Sequence, residues 1–230
     1  MIEKSVEDSM IDRMVGLITW MTLGDGSICR AGNSCRFTCS HKEENEDYMA
    51  MKADLLSFTW AKYSRYYHSG SNSYNFQLYT MCHPIFTRLR RSIYLNGRKI
   101  ITSHAIKLLT PLNLAILYQD DGRYNAKKSV VSINKPLFSK LELEALAKGI
   151  VDMFGLIFRV GKSCTLKDGT IGHQMTLRMK DKERFFSLIK PYVVPSMLYK
   201  IERGGASNEV VRCSELDGNI ERQTEMICPY

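Results

Sequence analysis

The 230-residue chain has no stretch approaching 18 uninterrupted apolar residues, so neither a membrane-spanning helix nor a membrane partner is expected. Its opening, MIEKSVEDSMID, is acidic where an export signal would be basic and then apolar. That predicts an intracellular protein with no secretory or organellar address. A Cys-x2-Cys knuckle is also missing among the seven cysteines. Cys29, Cys35, Cys39 and His41 lie close together, but Cys35, Phe37 and Cys39 alternate with Arg36, Thr38 and Ser40 as in an amphipathic strand, which points to buried strand cysteines rather than zinc. An odd cysteine count without an export signal fits a reducing compartment. The chain lacks a splicing Cys or Ser at its start and a His-Asn pair at its end, so a free-standing or intron-encoded protein is expected rather than an intein-embedded one. Wholesale disorder is excluded by a hydrophobic content of 44%, enough for a buried core.

What is present in excess is positive charge, and it is unevenly placed. The chain carries +8 overall, while residues 1–12 and 202–230 are each −3, which leaves +14 on residues 13–201. A folded body with that charge suits a polyanion, above all nucleic acid.

The chain also repeats itself. MVGLITWMTLGDGS (Met14–Ser27) and LTPLNLAILYQDDG (Leu109–Gly122) are both mostly apolar runs that end in Asp-Gly. After the first run, two strand-like segments flank Ala31-Gly32-Asn33. EENED then opens a helix with Tyr48, Met51, Leu55 and Phe58 at helical spacing. SRYYH and YNFQLYT flank Gly70-Ser71-Asn72-Ser73, and a helix with Ile85, Phe86, Leu89 and Ile93 is expected to stop near Asn96-Gly97. The second run is followed by a strand at SVVSIN and a helix over 139–154. A hairpin around Lys167-Asp168-Gly169 comes next, then a helix capped by Asp181. Asp25 and Asp121 are 96 residues apart, Leu78 and Leu177 are 99 apart, and Lys99-Ile100 is matched by Lys200-Ile201. The expectation is an ancestral homodimer fused into one chain, with equivalent elements meeting at a pseudo-twofold axis. The halves are placed at 1–100 and 101–201, followed by an acidic tail over 202–230.

Each antiparallel sheet should bury one face and leave the other polar. The polar sets are Arg36, Thr38 and Ser40; Asn75, Gln77 and Tyr79; Ser132 and Asn134; and Gln174, Thr176, Arg178 and Lys180. Asn, Gln and Arg can pair bidentately with base edges, and a two-stranded ribbon fits the major groove. If both apolar helices run to the axis, Asp25 and Asp121 emerge at adjacent C-terminal ends, where helix dipoles and carboxylates favour a cation. Mg²⁺ takes such oxygen ligands, and nucleases use it to activate water and neutralise a leaving oxygen.

LAILYQDDG resembles the LAGLIDADG signature of the homing endonuclease family, matching its first, second, fourth and last two letters. ITWMTLGDGSI aligns more loosely, chiefly through the terminal Asp-Gly. The LTP before the second motif and the IKPY-to-MLYK segment over 189–200 are similar to the single-chain, two-motif members. The resemblance spans roughly residues 13–201 and implies a mixed α/β (α+β) fold: two αββαββα halves, saddle-shaped antiparallel sheets and a central helix pair. It implies a monomer that cuts both strands of a long double-stranded DNA target across the minor groove with Mg²⁺ or Mn²⁺, leaving short 3′ overhangs. Asp25 and Asp121 become metal ligands, with Asp120 an end-cap or outer-sphere residue. Lys200 becomes an active-site lysine that organises the hydrolytic water or stabilises phosphorane charge. Lys99 is its counterpart by the repeat, with Arg98 as the alternative. An intron-splicing maturase that binds intron RNA, or a non-cleaving DNA-binding regulator, is the alternative on this scaffold. The compartment would be that of the host DNA element, a bacterial or phage cytoplasm or an organelle matrix. Trp20 and Ile116 replace the small third residue of the motif, so the helix pair is expected to be wider or offset. Gly204-Gly205 suggests a hinge into the tail, whose acidity argues against a DNA-contacting arm.

Overall fold

A computed structural model describes residues 2–70 and 72–202, with side chains described from Ser9 onward. The acidic tail from 203 and the Ser71 hairpin position therefore lie outside the described residues. Helix α1 (Ile2–Leu23) leads into β1 (Ser27–Ala31), β2 (Ser34–Lys42), α2 (Glu46–Leu55), β3 (Lys62–His68), β4 (Ser73–Tyr79) and α3 (Pro84–Ile93). A small hairpin, β5 (Tyr94–Leu95) and β6 (Arg98–Lys99), and the short α4 (Ser103–Lys107) connect to α5 (Pro111–Asp121). The second series is β7 (Gly122–Asn125), β8 (Val130–Asn134), α6 (Lys140–Phe154), β9 (Phe158–Thr165), β10 (Ile171–Leu177) and α7 (Lys182–Ile189). A 3-10 segment over Pro195–Lys200 closes the second half.

The repeat is visible in the sheets. Both have four antiparallel strands in the same order, β1-β2-β4-β3 and β7-β8-β10-β9. Local chemistry sets the boundaries. Thr110 accepts the Asn113 N–H and Pro111 opens α5, so local contacts mark the first turn of the motif helix. Ser139 and Glu142 form a capping box on α6, and Gly155, at φ +65°, ends it in the left-handed region.

Several expected elements take a different form. Asn96-Gly97 does not stop α3; with φ values of +51° and +79° it makes the tight turn between β5 and β6, and α3 ends earlier at Ile93. Glu43–Asn45 is a 3-10 turn before α2, and Phe58 lies beyond that helix, exposed, while Tyr48, Met49 and Lys52 are its buried residues. Strand β7 follows the second motif directly, although its four residues carry no strand pattern strong enough to read. Asp181 stands at the start of α7 without capping it; its carboxylate instead accepts from Arg178 and the Ile157 N–H.

Two cores lie under the two sheets. Ile28, Phe37, Cys39 and Leu78 pack with Met49, Phe86 and Leu89 in the first, and Val131, Ile133, Met175 and Leu177 pack with Leu146, Ile150 and Phe185 in the second. Trp20 and Ile116, expected to make the helix pair wider or offset, both pack into a core. Trp20 projects from α1 into the second core, where its Nε1–H donates to the Ala105 carbonyl at 3.1 Å, and Ile116 projects from α5 into the first. Each bulky residue therefore fills the opposite half's core. Trp20→Ala is expected to lower stability by about 3–5 kcal/mol and Ile116→Ala by about 2–5 kcal/mol in urea unfolding. A loss below about 1 kcal/mol for Trp20→Ala would contradict this cross-filling.

Candidate active site

The site forms where α1 and α5 end together. Gly24 and Asp120 occupy the same place in the two motifs, and a Cβ on Gly24 would come within 2.0 Å of an Asp120 carboxylate oxygen, so only glycine fits against that side chain. The Asp25 N–H donates to the same carboxylate at 3.1 Å.

A helix leaves its last carbonyls without partners and carries partial negative charge there. Lysines answer both needs here. Lys99 Nζ donates to the Gly24 and Gly26 carbonyls at 3.2 and 2.7 Å, and Lys200 Nζ donates to those of Gln119 and Asp120 at 2.6 and 3.4 Å. Lys135 Nζ reaches the Leu23 carbonyl at 2.5 Å and is paired with Asp121. Burial pushes the Lys99 amine down to about 8 and also lowers Lys200. Of the two candidates read from the repeat, Lys99 faces the helix ends, whereas Arg98 turns away to the Leu137 carbonyl and Glu142.

Asp120 is enclosed. Its carboxylate accepts from Tyr48 Oη at 2.8 Å and Lys52 Nζ at 2.7 Å, and both donors belong to the first half. Burial alone would raise this carboxyl, but Lys52, then His41 and the Asp25 N–H, outweigh it and hold it below the usual carboxylate range. Lys52 Nζ also meets His41 Nε2 at 2.8 Å. Burial and that ammonium push His41 down to about 4, so its imidazole is neutral at pH 7.

The motif aspartates differ from Asp120 in access. The Asp25 and Asp121 side chains are 41% and 21% exposed, against 0% for Asp120. His41 Nδ1 lies 3.8 Å from Asp25, and ligand atoms of Asp25, His41 and Asp120 all fall within 4.8 Å of one another. Asp121 Oδ2 is a buried oxygen whose partner is the Lys135 ammonium. Burial raises the Asp121 carboxyl against the pull of Lys135.

Cross-strand register puts Arg36, Thr38, Ser40, Asn75, Gln77 and Tyr79 on the face of the first sheet opposite its core, where Lys62, Ser64 and Tyr66 join them. Ser132, Asn134, Gln174 and Thr176 do the same on the second sheet, with Arg123 and Arg159 in the same rows. Arg178 and Lys180 fall outside that face: β10 ends at Leu177, and Arg178 is paired with Asp181. Nothing in the local sequence marks Tyr48, Lys52, Gln119 or Lys135 as site residues, and His41 stands out there only beside the three cysteines. Nothing local distinguishes a buried lysine from a surface one, so no sequence signal identified them.

Removing one partner of the buried Lys52–Asp120 pair leaves an uncompensated charge. Lys52→Met is expected to cost about 3–5 kcal/mol in urea unfolding, and adding Asp120→Leu should cost far less than the sum of the two single losses. Strict additivity would show the two groups to be uncoupled.

The sequence profile of the LAGLIDADG DNA endonuclease family matches residues 14–184. Protein RecA of Mycolicibacterium chitae is 28% identical over 206 residues, covering 83% of this chain and 46% of that protein. The chain thus spans about half the length of the RecA relatives it matches. DNA endonuclease I-ChuI of Chlamydomonas applanata is 25% identical over 213 residues, covering 85% of this chain and 97% of that one. The structure of the homing endonuclease I-WcaI bound to its DNA recognition sequence superposes with a TM-score of 0.68 at 21% identity, covering 82% and 86% of the two chains, and supports the fold. With paired Asp-Gly helix ends, twin antiparallel sheets in one strand order and a family match over residues 14–184, this chain belongs to the LAGLIDADG DNA endonuclease family.

Proposed function

We propose that the protein is a site-specific homing endonuclease that hydrolyses both strands of a long double-stranded DNA target, leaving short 3′ overhangs. The observation that carries this reading is the pair of solvent-reachable carboxylates, Asp25 and Asp121, at the abutting ends of α1 and α5 in a member of a DNA endonuclease family. The donor set fits a hard divalent cation, since the two carboxylates supply oxygen ligands that reach solvent at the abutting helix ends. Mg²⁺ is the proposed ion, with Mn²⁺ as a substitute; when bound, it lowers the pKa of an attacking water and neutralises the leaving oxygen.

In this reading Asp25 and Asp121 hold the cation, one dominating at each scissile phosphate. Lys99 and Lys200, already donating to the helix-end carbonyls, orient the attacking water or stabilise the charge that builds on the phosphorus centre. The polar faces of the two sheets lie along the DNA. Arg36, Thr38, Ser40, Asn75, Gln77 and Tyr79 read one half-site, while Ser132, Asn134, Gln174 and Thr176 read the other. Arg178 and Lys180, past the end of β10, serve as backbone contacts at the flank. The chain acts as a monomer whose halves divide near residue 100, because the internal repeat supplies both half-sites. Among the described residues no helix is long and apolar enough to cross a membrane.

The test begins with selection of cleaved sites from a random or host-derived DNA library. A plasmid bearing the selected site should be linearised only with divalent metal, and chelation should stop the reaction. Asp25→Asn and Asp121→Asn should each abolish double-strand cleavage, a loss of at least about a thousandfold, while binding in a mobility-shift assay persists. Normal cleavage by both variants would sink the metal assignment.

A further inference from the structure

Two carboxylates away from the helix ends cross between the halves reciprocally. Asp47, in the first turn of α2, accepts the Ser196 N–H at 2.9 Å and also the Ser196 hydroxyl. Ser196 lies in the 3-10 segment that ends at Lys200, so a side chain of the first half grips the segment carrying the second half's lysine. Glu142, in the first turn of α6, accepts the Ile101 N–H at 3.1 Å and Arg98 Nη1 at 3.0 Å. Arg98 adjoins Lys99 and Ile101 begins the second half, so it is through Arg98 that a side chain of the second half grips the segment carrying the first half's lysine.

The two lysines need this help. Both ammoniums are half-buried against carbonyls at the helix ends, yet β6 has only two residues and the other segment is a single 3-10 stretch. Neither segment belongs to a four-stranded sheet or a long helix that would fix its position. Anchoring by a charge-accepting carboxylate supplies that constraint, since hydrogen bonds to ionised acceptors are stronger than neutral ones.

We infer that Asp47 and Glu142 are positioning residues, each holding the active-site lysine segment of the opposite half, so that losing one carboxylate impairs one strand's cleavage. This rests on the endonuclease reading only for its consequence; the anchoring itself is independent of catalysis.

Amide hydrogen exchange on the full chain tests the anchoring. Asp47→Ala should accelerate exchange over 196–200 roughly tenfold and leave 98–101 unchanged, and Glu142→Ala should do the reverse. Ser139→Ala, which removes the α6 cap and one hydrogen bond to the Glu142 carboxylate, should change exchange over 98–101 less than Glu142→Ala does. Ser196→Ala should reproduce the Asp47→Ala effect in weaker form. Unchanged exchange in both segments, or both segments responding to both variants, would overturn the inference. On the selected plasmid, each carboxylate variant should accumulate nicked circle, with the slow step roughly ten- to a hundredfold down and on opposite strands for the two variants. Equal slowing of both strands would overturn the division of labour even if the exchange result held. A wild-type protein that cuts neither strand would remove the endonuclease reading, and the exchange data would still decide the anchoring.

Discussion

The C-terminal ends of α1 and α5 lie against each other, and both are electronegative. Bare carbonyls and three carboxylates at one point would repel, so the junction stands only because lysine ammoniums enter it. Lys99, Lys135 and Lys200 take the carbonyls, and Lys52 takes Asp120. Each ammonium comes from a different element, so the pairing of the helix ends ties together β6, α2, the end of β8 and the last 3-10 segment. Fold and candidate site are therefore one electrostatic construction: the groups that make the junction stable are those placed beside the open carboxylates.

The pseudo-symmetry stops at this junction. Gly24 and Asp120 hold equivalent motif positions, but glycine leaves a space and aspartate fills it, carrying a charge from the second half into the first. The residues facing the two motif aspartates differ as well. His41, neutral and buried, stands near Asp25, whereas Lys135 is paired with Asp121. Asp25 therefore has a neutral imidazole as its neighbour, and Asp121 a cation. Two repeats within one chain are free to differ in this way, because each has its own sequence.

Trp20 and Ile116 illustrate how packing resolves an apparent conflict. Both are too large for a close helix crossing if they point at the crossing. Each instead passes the crossing and becomes part of the facing half's core, so bulk that would separate the helices joins the halves. The two cores are consequently interdependent: each half lends the other a buried side chain as well as a carboxylate.

Much of the architecture was legible because its signals are local or periodic. The strand alternation of residues 35–40, the helix over 139–154 and the turn at Lys167-Asp168-Gly169 depend on neighbours in the chain and appear in the structure in the expected places. The 96-residue repeat of Asp-Gly located the two open carboxylates, because a repeated motif implies a repeated position. The sequence could not reveal that Asn96-Gly97 turns a hairpin, since a glycine after a helical run serves either purpose. Nor could it reveal that Lys52, Lys99, Lys135 and Lys200 converge, because a lysine's charge is the same in solvent and in a core. Only the tertiary structure decided which ammonium met which carbonyl or carboxylate, since that depends on side chains far apart in sequence sharing one desolvated volume, where an unpaired charge is too costly to leave.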